Sequence, residues 1–137
     1  MVAGTLELSA GTPAEVALAR HAVEVRLLQW GCGSPEDVLL VFSELVTNAV
    51  THAGSADSVV VRLDDTAVTV LVEDASASSP QMRVRGDASG GFGLRVVDQL
   101  ATEWGWEQTD SGKKVWANVP CLSDGAVPPV LLAREEA

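Results

Sequence analysis

Tyrosine is absent from this 137-residue chain, phenylalanine occurs twice and tryptophan four times. With so few aromatics, the volume of any core must come from Val, Leu and Ala. Basic residues are also scarce: 9 Lys and Arg stand against 19 Asp and Glu, a formal net charge of −10 and a pI near 4.4. Nucleic acids and anionic membranes attract basic surfaces, so both are disfavoured as general partners. A phosphate compound bound here would need backbone amides, a helix terminus or a metal ion to offset the repulsion.

Cysteine is limited to Cys32 and Cys121. They lie far apart and match no metal-ligand or redox spacing, so reduced, structural thiols are expected. No segment approaches the ~18 consecutive apolar residues of a membrane helix, and the N-terminal "MVAGTLELSAG" lacks a basic stretch followed by an apolar one. A cytoplasmic protein is expected. Repeats and a second domain are both missing from the pattern, and a single domain of this length can bury roughly two thirds of the surface of its unfolded chain.

What is present is strong punctuation. Residues 3 to 9 alternate weakly around Leu6 and Leu8, which predicts a first, edge strand. Thr12, Pro13 and Glu15 open a helix that Gly31 closes, and Ser34, Pro35, Glu36, Asp37 and Gly54 repeat the same grammar for a second. "DSVVVRLDD" and "AVTVLVED" read as a β-hairpin turning at Asp64, Asp65 and Thr66. Residues 75 to 92 form a long Ser-, Gly- and Ala-rich stretch of the kind that is usually functional or disordered. Leu94, Val97 and Leu100 then space a third helix, and "TEWGWEQT" and "KKVWANV" close the domain as a hairpin around Asp110, Ser111 and Gly112. Strand, two helices, two strands, long loop, helix and two strands predict an α+β two-layer sandwich, with the helices on one face of a mixed, mostly antiparallel sheet.

Three polar features stand apart from this packing logic. In the second helix Leu39, Phe42, Val46, Ala49, Val50 and Ala53 recur at three- and four-residue spacing as the buried face. Glu44, Asn48 and His52 fall four apart on another stripe, beside Thr47 and Thr51. A solvated face would account for the stripe, but it lacks the Lys and Arg usual there. An Asn amide oxygen can bind Mg²⁺, which takes few protein ligands, and a carboxylate one turn away can orient a hydroxyl or water for attack. Asp74 ends the apolar strand "VTVLVED" and could accept from an exocyclic amine such as that of adenine, or simply form the turn; Pro80 would stiffen the exit. "GGFGL", residues 90 to 94, can be a helix-start turn or an anion site; it is neither a Walker A sequence nor a Rossmann fingerprint.

Taken in order, "SELVTNAVTHA", "VLVEDASASSP" and "GGFGLRVVDQLATEWGW...GKKVW" resemble the ATP-binding regulatory proteins of the histidine-kinase-like ATPase (GHKL) superfamily, which includes gyrase and the catalytic domains of sensor histidine kinases. Within it the chain is most similar to small bacterial anti-sigma-factor, serine-protein-kinase proteins. The resemblance covers about residues 13 to 119, and implies a Bergerat-type ATPase domain over 1–119 followed by a C-terminal tail, 120–137. It implies that Asn48 coordinates Mg²⁺ on ATP, that Glu44 is the general base or the residue that orients the hydroxyl, and that Asp74 accepts from the adenine amine. Gly91, Gly93 and Leu94 would bring backbone to the phosphates, and residues 81 to 90 would form a mobile lid.

The same resemblance implies a serine/threonine protein kinase that binds a sigma factor and phosphorylates a small antagonist, an anti-anti-sigma domain of the STAS type, in transcriptional partner switching. A homodimer is expected on the resemblance alone. The alternative is a nucleotide-dependent binding module with little or no kinase activity; a sensor histidine kinase is disfavoured for want of a phosphoacceptor hairpin. Two positions depart from relatives. Ser76 stands where a glycine often follows the adenine-binding Asp, and Lys114 where a Thr often lies near the adenine.

Overall fold

The computed structural model describes residues 2–64, 66–76 and 93–121. Strand β1 (Val2–Ala10) leads into helix α1 (Pro13–Gln29) and helix α2 (Pro35–Ala53). The hairpin β2 (Ala56–Asp64) and β3 (Ala67–Asp74) follows, then helix α3 (Gly93–Leu100) and the closing hairpin β4 (Glu103–Thr109) and β5 (Gly112–Pro120). The strands form one sheet in the order β1-β2-β3-β5-β4. Every pairing among the described residues is antiparallel, so the sheet is more uniform than the mixed one expected. β1 lies at the edge, as its weak alternation foretold.

Local chemistry sets the element ends. Thr12 caps α1, its hydroxyl accepting from the Glu15 N–H at 3.1 Å, while the Glu15 carboxylate accepts from the Gly11 N–H at 2.7 Å. The far end is a Schellman turn: Cys32 N–H donates to the Leu27 carbonyl and Gly31 N–H to that of Leu28. Gly31 has φ 79°, which glycine adopts without the Cβ penalty of other residues. Ser34 precedes α2 but makes no capping bond; its hydroxyl instead donates to the Pro120 carbonyl at 3.4 Å.

α2 is the central helix, in contact with α1, α3 and the sheet. Leu39, Phe42, Val46 and Ala49 are buried as expected, but Val38, Val41 and Leu45 are buried too, because α2 is covered from several sides. Val50 and Ala53 are only partly buried. The sheet face toward the helices is built by strand parity: Val59, Val61 and Leu63 from β2, Val68, Val70 and Val72 from β3, and Val115, Ala117 and Val119 from β5. Among the described residues the core is thus aliphatic side chains around Phe42.

The cysteines correct an expectation. Cys32 and Cys121 are joined as a disulfide, with Cα atoms 5.2 Å apart and 89 residues between them in sequence. The Schellman turn buries Cys32 beside the end of β5, so proximity came from the fold and could not be read from the spacing of two residues.

Candidate nucleotide site

The topology joins the elements that carry the polar features. β3 ends at Asp74, the chain passes through residues 75–92 and α3, and β5 returns to lie beside β3. α2 packs against both β3 and α3, which puts its polar stripe on an element in contact with the other two.

That stripe divides. Glu44 and Asn48 are half-buried, whereas Thr47, Thr51 and His52 are exposed. Arg20 of α1 fixes the helix next to Glu44, its guanidinium donating to the Leu39 carbonyl at 3.1 Å and to the Ser43 hydroxyl. Desolvation pushes the Glu44 carboxyl up from its ordinary pKa, bringing it nearer to that of a base useful at neutral pH. His52 shares the stripe's spacing but stands apart from this half-buried pair.

Asp74 continues the inward parity of Val68, Val70 and Val72, so its carboxylate takes the last rung of the helix-facing surface. It is 5% exposed. Ser76 N–H donates to its Oδ1 at 2.8 Å, closing an Asx turn. In register opposite is Lys113, 4% exposed, whose Nζ lies 3.1 Å from Oδ1 and 3.1 Å from Oδ2. These are the two buried charged residues among those described. Gly112 allows the approach: a Cβ there would lie 1.9 Å from the Asp74 carbonyl oxygen.

The register separates Lys113 from its neighbour Lys114. Lys114 pairs with Glu73 and Glu107, on the parity opposite Asp74, so Lys113 is the residue that meets the candidate base acceptor. Counting back from the inward Val119, Ala117 and Val115 would have identified it. The bond from Ser76 to Asp74 comes from the backbone N–H, which a glycine at this position would supply equally, so it does not explain the departure from glycine.

Gly93 is the first residue of α3. The Leu94 side chain is buried in the core, which leaves its backbone N–H, in the first turn of the helix, as the group it could offer a phosphate. Pro80, Gly91 and the expected lid, 81–90, lie outside the described residues. So does the tail beyond Cys121. No group of three or more His, Cys, Asp or Glu that could hold a metal occurs among the described residues. A metal at Asn48 would therefore take its other ligands largely from phosphate oxygens and water, as Mg²⁺ commonly does. No described helix is long and apolar enough to cross a membrane.

The donor set fits a nucleotide: an amide oxygen and a desolvated carboxylate on one helix, a buried carboxylate at the end of an adjoining strand, and a helix start reached through a glycine-rich segment. Comparison with known proteins agrees with this. A family model described as the histidine kinase-like ATPase domain matches residues 9–119, most of the chain. No curated protein matches.

Proposed function

The chain belongs to the histidine kinase-like ATPase family, which implies ATP binding, and from that premise we propose that it is an ATP-dependent serine/threonine protein kinase of the anti-sigma-factor type. It binds a sigma factor and phosphorylates the hydroxyl of a small STAS-type antagonist; the cytoplasmic location this implies stands against the Cys32–Cys121 disulfide, because the cytosol keeps thiols reduced. A homodimer is the expected assembly. The observation that carries this reading is the half-buried Glu44–Asn48 pair one turn apart on α2, a helix packed on the strand that ends in Asp74.

The residues would divide the work. Asn48 would hold Mg²⁺ through its amide oxygen, supplying positive charge against the phosphates that a chain of net charge −10 would otherwise repel. Asp74 accepts from the exocyclic amine of adenine, and backbone N–H groups near Gly91, Gly93 and Leu94 meet the phosphates. Glu44 takes the proton of the attacking hydroxyl as its oxygen bonds to the terminal phosphorus and the bond to the ADP oxygen breaks. Its raised pKa makes it a better proton acceptor than an exposed carboxylate, while leaving it ionised at neutral pH is a condition for activity.

The test is a pull-down followed by incubation of any small recovered partner with the protein, Mg²⁺ and labelled ATP. Label on a partner Ser or Thr, lost with Glu44→Ala, is expected. Nucleotide binding without transfer would replace the kinase by a nucleotide-dependent binding module.

A further inference from the structure

Lys113 is unusual on its strand. Val115, Ala117 and Val119 fill the other inward positions of β5, and Val68, Val70 and Val72 those of β3, so the last rung of an aliphatic ladder carries a buried charge on each side. Stability is a weak account of this arrangement. A buried ion pair can often be replaced by apolar residues with no loss, because desolvation of the two charges consumes most of their attraction.

Its geometry is more informative. The ammonium lies at 3.1 Å from both oxygens of Asp74, and Oδ1 also accepts from the Ser76 N–H. An amine from within the chain thus holds both oxygens of the acceptor that an amine of the base would have to reach. The carboxylate is 5% exposed and the lysine 4%, so a base amine that reached Asp74 would meet the ammonium already seated on both oxygens. A lysine can yield, since its point charge sits on a flexible four-carbon stem with rotatable donors.

We propose that Lys113 is an affinity-setting residue of the nucleotide site, an internal competitor whose ammonium occupies Asp74 and is displaced by the exocyclic amine of an adenine nucleotide. The inference rests on the nucleotide reading of this site and adds to it a residue that opposes binding. Lys113 holds the site closed, and each binding event exchanges one charge-assisted hydrogen-bonded amine for another. Intrinsic affinity is accordingly low, and ligands without the amine gain nothing from expelling Lys113.

The experiment is calorimetric titration of ATP and of inosine triphosphate, which carries an oxygen in place of the amine, into the full chain and into Lys113→Met and Lys113→Gln. Removing the competitor should tighten ATP roughly ten-fold or more, the scale of one hydrogen bond to a charged group, and leave inosine triphosphate nearly unchanged. Lys113→Gln removes the charge and keeps a polar amide on a stem one atom shorter, and carries the test if Lys113→Met does not fold. ATP affinity that is unchanged or weaker in both variants overturns the inference while leaving the nucleotide reading intact. An equal gain for both nucleotides also overturns it, because the amine would then be irrelevant. Failure of the parent chain and both variants to bind ATP defeats the inference and the nucleotide reading together.

Discussion

Cys32, in the turn after α1, and Cys121, one residue past β5, are bonded across 89 residues of sequence, and both are buried. The bond fastens the first helical turn-around to the exit of the sheet, and Ser34 reaches the Pro120 carbonyl beside it. A cross-link closing so long a loop restricts the unfolded chain heavily, and contributes about 2–5 kcal/mol. Reduction, or Cys32→Ser with Cys121→Ser, should lower Tm by on the order of 10 °C without altering the far-ultraviolet circular dichroism of the folded state. Equal Tm values for oxidised and fully reduced protein, with thiols counted, would show that the bond adds nothing to stability.

Glu44 should reveal itself in stability as well as in catalysis. Desolvation raises its folded pKa above the ordinary 4.5, so the folded state binds its proton more tightly than the unfolded chain does. Stability from this group therefore falls as pH rises from the ordinary value through the folded one, and the cost is complete above it. Glu44→Gln should raise Tm at neutral pH, and the advantage should disappear as pH falls below about 4.5. The same variant should reduce any phosphoryl transfer ~10²- to 10⁴-fold while leaving ATP binding almost unchanged, since a base acts mainly in the transition state. Thermal scans across pH, set beside a single-turnover assay, separate these effects. A variant with no gain in Tm would mean that the carboxylate is well solvated.

Asn48 predicts the opposite pattern. Asn48→Ala removes a metal ligand, so it should weaken Mg²⁺-ATP binding, and the deficit should shrink when Mg²⁺ is withheld. Titrations with and without the metal decide it. A deficit that persists unchanged in the absence of Mg²⁺ would reassign Asn48 to contacts with the nucleotide itself.

Much of this architecture was legible because local rules and the global fold agree. Thr12, Pro13 and Gly31 mark α1 by capping chemistry that needs no tertiary information, and β-branched alternation marks β2 and β3. Glu44, Asn48 and Asp74 could be singled out because polar residues interrupt otherwise apolar elements. Features that depend on which distant segments meet were less accessible. The disulfide requires the turn at Cys32 to meet the end of β5, and the partner of Asp74 depends on the β3–β5 register. A shift of one residue reverses the face of every side chain on a strand, so which of Lys113 and Lys114 meets Asp74 is set by the register.

That register bears on how Asp74 should be tested. Asp74→Asn is the natural probe of base recognition, because an amide can turn a donor toward the base and should weaken adenine nucleotides more than guanine nucleotides. In this protein the substitution also strands Lys113, a 4%-exposed ammonium whose described carboxylate partner is Asp74. Breaking one side of a buried pair costs about 3–5 kcal/mol, so Asp74→Asn should lower stability by that order even without ligand. Adding Lys113→Met removes the orphaned charge and should recover most of the loss, making the double variant more stable than Asp74→Asn alone. Denaturant unfolding of the four proteins in this cycle measures the coupling, which should be well above the ~0.5 kcal/mol of independent sites. Nucleotide titrations are then best read by comparing the double variant with Lys113→Met, since both lack the ammonium and a loss of adenine preference between them reflects the missing acceptor rather than a disturbed fold. Additive losses in the cycle would mean that the two side chains are not energetically coupled, and Asp74→Asn could be interpreted alone.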